Sequence, residues 1–175
     1  MKFTKEEKKF WQTHYHFDKP SQLHENWQQI WSVDGNEDDE FFYFFTLRVI
    51  SIVEVHLKDT QITDKAVEYM TKFKALKYLF LRKHDAITKA SIPFFNQMVS
   101  LESLNLTRTQ ITLTDLCDQL NNQSLKEVFL DSEENEDNIL EKAFILKERM
   151  PNCNVYLDCS TTMNGFGIVE KPIFN

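Results

Sequence analysis

The sequence contains little glycine. Its 175 residues include three glycines, Gly35, Gly165 and Gly167. A phosphate-binding loop needs several closely spaced glycines, because its backbone amides must approach the phosphate. The shortage therefore disfavours a nucleotide-hydrolysing enzyme. The sequence also has no GxSxG or HExxH motif, so neither a serine hydrolase nor a zinc protease is indicated.

Cysteine is scarce as well. Cys117, Cys153 and Cys159 are an odd number and have no CxxC spacing, which argues against a disulfide framework and against a zinc site. Cys153 and Cys159 are too far apart to bridge along one strand, because each residue extends a strand by about 3.3 Å. We therefore expect reduced thiols, no bound metal and no cofactor.

Long apolar segments are also missing. The stretch MKFTKEEKKFW is charged, and the run FFYFFTLRVISIV is interrupted by Arg48 and is shorter than a membrane helix of about 18 residues. We expect a soluble, cytoplasmic protein without a membrane partner. The net charge of -7 disfavours nucleic-acid binding, which needs a clustered basic surface, and suits a basic protein partner.

What the sequence does contain is a repeated pattern of apolar residues. In LESLNLTRTQIT, residues 101–112, leucines stand at offsets 0, 3 and 5, and an isoleucine at offset 10. The pattern recurs from Ile52, from Leu76 with one extra residue, more weakly from Leu125, and partly in NVYLDC, residues 154–159. Successive copies start almost evenly along the chain, with a period of about 25 residues that is typical of solenoid repeats.

Each repeat predicts a short strand, a loop and a helix. Side chains at offsets 3 and 5 share one face of a strand, and the residue between them points to the other face. Thr63 and Thr112 suit helix N-caps. A single unit cannot bury its apolar face, so neighbouring units must stack. Apolar residues with helical spacing precede two of the repeats, and these are Val67, Met70, Phe73, Ile92, Phe95 and Met98.

These copies resemble the leucine-rich repeat family, with its LxxLxL strand signature followed here by a threonine and the pair IT. The resemblance covers residues 50–160, and it departs from the family pattern at Thr60 and Thr109, where asparagine or cysteine is usual. It implies an α/β fold: a leucine-rich-repeat solenoid with a parallel concave sheet, convex helices and a protein-binding function.

The other segments are interpreted as caps within a single structural domain. Residues 1–49 are an N-terminal helical cap packed on the solenoid, residues 50–160 are the repeats, and residues 161–175 are a C-terminal capping tail. Helices are predicted for TKEEKKFWQTHYHF, SQLHENWQQIW, DDEFFYFFTLRV and residues 137–149, and a strand near 154–158. Two alternatives to this interpretation stay open. One is that WQQIWS is a first strand, one repeat before the copy at Ile52, and the other is that the segment 1–49 is a docking element.

The candidate binding residues lie on the predicted concave face. Neighbouring strands are about 4.8 Å apart, so residues at offset 4 form a ladder of side chains. Aromatic and arginine side chains that face solvent are typical of binding surfaces. Four cationic residues would make the middle of this face basic, and these are Lys77, Arg82, Lys83 and Arg108. The ladder comprises His56, Phe80, Asn105, Phe129 and Tyr156, and its flanking residues are Tyr78, Arg82, Lys83, Arg108 and Asp131.

Two alternatives remain for these features. A cap or the tail covers the aromatic residues, or strand propensity alone explains why they stand there. The acidic runs DGNEDDE, residues 34–40, and DSEENED, residues 131–137, are either solvated loops or charges that steer a cationic partner.

The sequence favours a non-catalytic protein–protein interaction module that binds its partner through the concave sheet. A more specific hypothesis is a cytosolic inhibitor, such as a bacterial toxin-immunity protein, because a compact domain acts most simply by occluding its partner. The alternatives are a substrate-recognition adaptor of a larger complex, or a metal-dependent enzyme that uses His14, His16, His24 and residues 34–40. A monomer is favoured, although an exposed aromatic sheet also allows self-association.

Overall fold

The computed structural model describes residues 2–132, 138–159, 161–163 and 169–174. Over these residues, six β-strands alternate with six α-helices, and two short 3-10 helices lie at Pro20–Gln22 and Lys89–Ser91. The strands are β1 Asn26–Val33, β2 Ser51–Lys58, β3 Tyr78–Arg82, β4 Ser103–Asn105, β5 Glu127–Leu130 and β6 Asn154–Leu157. The helices are α1 Lys5–Tyr15, α2 Asp39–Thr46, α3 Asp64–Met70, α4 Ile92–Gln97, α5 Leu113–Gln119 and α6 Ile139–Arg149.

The six strands form one parallel sheet in the order of the chain, β1 to β6. Each strand pairs with the next, and a helix lies in every connection, as parallel pairing requires. The fold is therefore α/β, as the sequence predicts. The residues that align across the sheet follow the repeat offsets, so that Val55, Leu79, Leu104, Val128 and Val155 stand side by side.

The core lies between the sheet and the helices. Leucines at offsets 3 and 5, such as Leu79 and Leu81, are fully buried, as the alternation predicts. The helices add the residues predicted from their spacing, including Val67, Met70 and Phe95. One continuous apolar cluster results, and it extends from Phe10 in α1 to Val155 in β6.

The second predicted helix, SQLHENWQQIW, is wrong, because residues 26–33 form strand β1. Trp27, Ile30 and Trp31 have helical spacing, but Trp27 and Ile30 pair in register with Ile52 and Val55 of β2. Pairing with β2 thus outweighs the local pattern, and the alternative of a first strand is confirmed. The other two N-terminal helices are present as α1 and α2.

Helix α1 packs against the end of the core. Trp11 is completely buried, and its ring centre lies 5.7 Å from that of Phe45 in α2. The Glu7 carboxylate accepts hydrogen bonds from the Arg48 guanidinium at 2.5 and 2.8 Å. Apolar packing and this shielded ion pair together hold α1 in place.

At the other end, the described part of the tail contacts β6, where the backbone N–H of Ile173 donates to the Val155 carbonyl at 2.9 Å. Residues 133–137 of the second acidic run, and residues 164–168 of the predicted tail with Gly165 and Gly167, lie outside the described residues. Cys117, Cys153 and Cys159 are not joined in disulfides. Among the described helices, none has the length and apolar character needed to cross a bilayer.

Candidate functional site

The face of the sheet that points away from the core carries one ladder of aligned side chains. We call it the ladder face and define it by Trp31, His56, Phe80, Asn105, Phe129 and Tyr156, which stand in register on β1 to β6. In β2 to β5 the strands position these residues at the offset between two buried leucine-type residues, such as Leu79 and Leu81. The ladder is thus a direct consequence of the repeat.

The first three members form a stack. The ring centres of Trp31 and His56 are 3.8 Å apart, and those of His56 and Phe80 are 4.8 Å apart. Trp31 is 60% exposed, whereas His56 and Phe80 are half-buried. We call these three residues the aromatic stack. It presents a pre-ordered aromatic surface to solvent across β1, β2 and β3.

The other half of the ladder is buried, so the expectation that its aromatic residues face solvent is wrong. Phe129 is only 1% exposed and Tyr156 only 7% exposed. Their rings stack on each other at 4.8 Å, and Asn105 adjoins Phe129 on the next strand. Asn105 is itself fully buried, and the cost of burying its side-chain oxygen is offset by hydrogen bonds from the N–H and hydroxyl of Thr107. These three residues therefore stabilise the sheet rather than offer a free surface.

The residues that flank the ladder make the face less basic than expected. Tyr78 is 37% exposed beside the stack, and the Arg82 Nε donates to the Thr107 hydroxyl at 3.2 Å. Lys83 forms an ion pair with Asp59, and Lys77 forms one with Glu102 at 2.9 Å. Two of the four cations expected to make the middle of the face basic are therefore paired.

The turns after the strands fix the remaining predicted residues. Lys83 and Arg108 are exposed and have positive φ angles of 58° and 57°. Asp34, Asp59 and Asp158 adopt the same left-handed backbone at the same point of their repeats. Asp131, which is half-buried, accepts a hydrogen bond from the Arg108 backbone N–H. The edge of the ladder face is therefore built from ordered polar turns.

Two titrating groups on or near this face are shifted for different reasons. Burial, together with the charge of Arg82, lowers the pKa of His56, so its imidazole is neutral at pH 7 within the stack. Hydrogen bonds from Lys126 and Lys77 lower the pKa of Glu102 to about 2. Glu102 thus remains an anion that bridges two lysines.

Trp31 is the most exposed member of the ladder, and the predicted site omits it. A signal for it was present, because Trp27 stands one repeat before Ile52, and the same step leads from Trp31 to His56. Because a helix is predicted for this segment, its register with the later repeats is not recognised. Once β1 is recognised as a strand, the repeat offsets identify Trp31 directly.

The N-terminal histidines do not converge. His14 packs against the rings of Phe10 and Phe41 at 4.7 and 5.1 Å, and His16 ends α1 in a left-handed conformation. His24 is exposed, and its carbonyl accepts a hydrogen bond from the Trp27 indole. In the part of the chain that the structure describes, no three His, Cys, Asp or Glu side chains are grouped as metal ligands.

The first acidic run has structural partners. The Asp38 carboxylate caps α2 by accepting from the Phe41 N–H at 2.8 Å. Asp39 accepts from the N–H and hydroxyl of Thr63, at 2.9 and 2.7 Å. Glu37 accepts from the Ser32 hydroxyl. Residues 34–40 are therefore more than a solvated loop, since three of their carboxylates order the start of the fold.

No protein-family model matches the chain. No curated protein matches its sequence significantly either. The residues of the ladder face and its surroundings therefore carry the case for function.

Proposed function

We propose that this chain is a solenoid of the leucine-rich-repeat type and a non-catalytic protein-binding module, which binds its partner through the exposed half of the ladder face. Two features support the repeat assignment. The strands align at steps of one repeat from Trp31 to Phe129, and the leucine positions of the four copies that start at Ile52, Leu76, Leu101 and Leu125 are buried. A curved parallel sheet with one open face is the surface that such repeats offer to partners.

The aromatic stack is the observation that carries the proposal. An indole that is 60% exposed, stacked on a neutral imidazole, presents apolar area in a fixed position. Burial of apolar surface contributes about 25 cal/mol per Å², and a pre-ordered side chain loses little entropy on binding. Tyr78 and Arg82 lie beside the stack, and both residue types are enriched among residues that dominate interface energies.

Within this class we favour an inhibitor that occludes its partner, such as an immunity protein that neutralises a toxin. The net charge of -7 suits a basic target, because opposite charge accelerates association. The described chain forms one continuous core, and the aromatic stack lies on the open face of its sheet with Trp31 exposed. Direct occlusion is the simplest action for such a molecule.

An adaptor is the second candidate, because there is a second apolar surface away from the ladder. Tyr43, Leu47 and Ile50 are exposed large side chains, and they line a groove together with Lys2 and Thr4 near the start of α1. An adaptor needs two surfaces, one for the substrate and one for the larger complex. This groove would be the second surface.

Capture of partners by the tagged protein tests the proposal. Wild-type protein and the double variant Trp31→Ala/Phe80→Ala would be used to capture partners, which mass spectrometry identifies. Val99→Ala is the matched control, because Val99 is 82% exposed and lies between α4 and β4, outside the ladder face. We expect one protein to be captured by the wild type and the control but lost with the double variant. Equal capture by all three would overturn the proposal.

The identity and fate of the captured protein separate the two candidates. An inhibitor should abolish the activity of a purified target at equimolar concentration. An adaptor should instead capture a second protein whose recovery falls with Leu47→Ser but not with Phe80→Ala. The capture is expected to be unchanged by a chelator, whereas a metal-dependent enzyme would lose its function.

A further inference from the structure

A small aromatic cleft adjoins the free edge of β1. It lies between the C-terminal end of α1, strand β1 and the start of α2, and has a volume of about 250 Å³. This is below the roughly 300–1,000 Å³ of pockets for drug-sized ligands, so one side chain fills it better than a cofactor does. Its principal lining residues are His14, Tyr15, Trp27, Trp31, Glu37 and Phe41.

Aromatic rings form most of the walls. The ring of Trp27 meets that of Tyr15 at 74° with centres 5.0 Å apart, and Phe41 lies 6.4 Å from Tyr15. Trp31 contributes an exposed indole at the boundary with the aromatic stack. Rings that meet at steep angles around a small space are suited to a cation, which is attracted to their electron-rich faces.

One carboxylate completes the cleft. Glu37 is held by the Ser32 hydroxyl, which donates to its Oε2 at 2.5 Å. The Glu37 charge reaches Tyr15, where burial and this charge together raise the pKa of the phenol. The described residues that line the cleft include no lysine or arginine. The described lining of the cleft therefore holds one carboxylate and no lysine or arginine to pair with it.

The backbone beside the cleft is a free strand edge. Among the described residues, β1 pairs with β2 on one side, and its other side makes no backbone hydrogen bond. The strand sequence NWQQIWSV carries no charge, and five of its eight residues are exposed. An edge of this kind accepts an added strand, because long uncharged edges are otherwise blocked by charge or proline.

We propose that the cleft binds an arginine or lysine side chain of the partner, carried by an extended segment that pairs with the free edge of β1. This inference rests on the proposed function, since the segment belongs to the protein bound at the ladder face. The cation would stack against Tyr15, Trp27 and Trp31 and face the Glu37 carboxylate. The overall charge of -7 favours the approach of such a segment.

A pair of short peptides tests the cleft without the partner. The probes are acetyl-Thr-Val-Arg-Val-Thr-amide and its twin with neutral citrulline in place of arginine. Binding is followed by tryptophan fluorescence, because Trp27 and Trp31 line the cleft while Trp11 is buried. We expect saturable binding of the arginine peptide, and binding at least about tenfold weaker for the citrulline twin.

The variant Glu37→Gln and its control test whether the charge of Glu37 attracts the arginine peptide. Glutamine keeps an acceptor for Ser32 but removes the negative charge, so we expect the arginine peptide to bind about tenfold more weakly with an unchanged melting temperature. Glu148→Gln, at an exposed position of α6 at the far end of the sheet, removes the same charge and should bind like the wild type. No fluorescence response to the arginine peptide, or equal binding of both twins, would overturn the inference.

Partner capture separates this inference from the proposed function. Phe80 lies in the stack but does not line the cleft. If Phe80→Ala abolishes capture and Glu37→Gln leaves it unchanged, the ladder face is the binding surface and the inference about the cleft is wrong. If both variants weaken capture of the same protein, the inference is supported.

Discussion

Asn105 lies at the centre of the ladder face, between Phe80 and Phe129 in register. Its side chain is fully buried. There its Oδ1 accepts hydrogen bonds from the Thr107 N–H at 3.0 Å and from the Thr107 hydroxyl at 2.8 Å. A residue at a predicted solvent-facing position is therefore part of a buried hydrogen-bond network. It also marks the boundary between the exposed and buried halves of the ladder.

We predict that both Leu104→Ala and Asn105→Ala destabilise the protein. Leu104 is fully buried, so its truncation should cost about 2–5 kcal/mol through the cavity. Asn105→Ala should cost about 1–3 kcal/mol, because it leaves the buried Thr107 N–H without its acceptor. Urea unfolding measures both values, with exposed Gln110→Ala as the control. An Asn105→Ala variant as stable as the control would contradict this role.

His84 links neighbouring turns through a neutral imidazole. Its Nε2 accepts from the Thr60 N–H at 3.1 Å and lies 2.9 Å from the Thr60 hydroxyl, and the ring is buried. Burial lowers the pKa of His84 more than Asp59 and Asp85 raise it. Protonation would place an N–H against the donor of Thr60, so the folded state resists it.

This lowered pKa predicts that stability falls with acidification. The unfolded state takes up a proton near pH 6.5 while the folded state does not, so the contribution is complete above that pH and declines as the pH falls. The urea midpoint should therefore be lower at about pH 5.5 than at about pH 7.5. His84→Gln should reduce this difference. His56 shifts in the same direction and would account for part of what remains.

At the scale of elements, side chains of one helix cap the next. The Asp64 carboxylate at the start of α3 accepts from the N–H and hydroxyl of Thr88, at 2.8 and 2.7 Å, and from the Ser91 hydroxyl. Asp39 of α2 bonds Thr63 in the same way, and also the Ala66 N–H. We call these two links the aspartate relay. It couples the starts of helical segments that lie one repeat apart.

We predict that Asp64→Ala destabilises the protein by about 1–3 kcal/mol, because the half-buried Thr88 and the buried Ser91 hydroxyl at the start of the next helical segment lose their acceptor. Chemical denaturation measures the change. Asp118→Ala, exposed on α5, is the matched control and should have little effect. A loss no larger than that of the control would show that solvent replaces the relay without cost.

The elements differ in how well the sequence predicts them. The strands at Val55, Leu79 and Leu104 follow from apolar residues whose period only a stacked strand–helix unit satisfies. Strand β1 cannot be predicted in this way, because its tryptophans and isoleucine fit both a helix and a strand. Which of the two forms depends on pairing with β2. The burial of Phe129 cannot be predicted from the sequence either, because it depends on what surrounds the ring and not on the position of the residue in the repeat.

The same limit applies to the candidate site. Register alone predicts that His56 and Phe80 are neighbours, and their rings stack. The repeat says nothing of Glu37 or Tyr15, because both lie outside the copies and meet Trp31 only through the fold. Contacts between a cap and a repeat have no sequence period that would reveal them.

At the scale of the whole molecule, helix α1 closes one end of the core. It buries Trp11 completely, covers Phe41 through Phe10 at 5.3 Å, and is fixed by the ion pair of Glu7 with Arg48. Burying such aromatic side chains supplies several kcal/mol. The contacts favour a cap, although the groove near Leu47 leaves room for docking as well.

We predict that deleting residues 1–24 produces a chain that aggregates, because Phe41 and Phe45 would become exposed. Size-exclusion chromatography and near-ultraviolet circular dichroism measure this, and Lys8→Ala, at an exposed position of α1, is the control. A truncated chain that stays monomeric with its aromatic signal intact would instead identify α1 as a detachable docking element.

The aspartate relay also stops partway along the chain. Lys89 follows Thr88 where an aspartate follows Thr63, and Thr112 forms a capping box with Asp115 of its own helix, α5. The aspartate links therefore join α2, α3 and the segment before α4, whereas α4 meets α5 through a different bond, in which the Asn96 Nδ2 donates to the Gln119 carbonyl at 2.9 Å. In native-state hydrogen exchange the molecule should behave as two cooperative opening units of unequal protection, although a single sheet spans both.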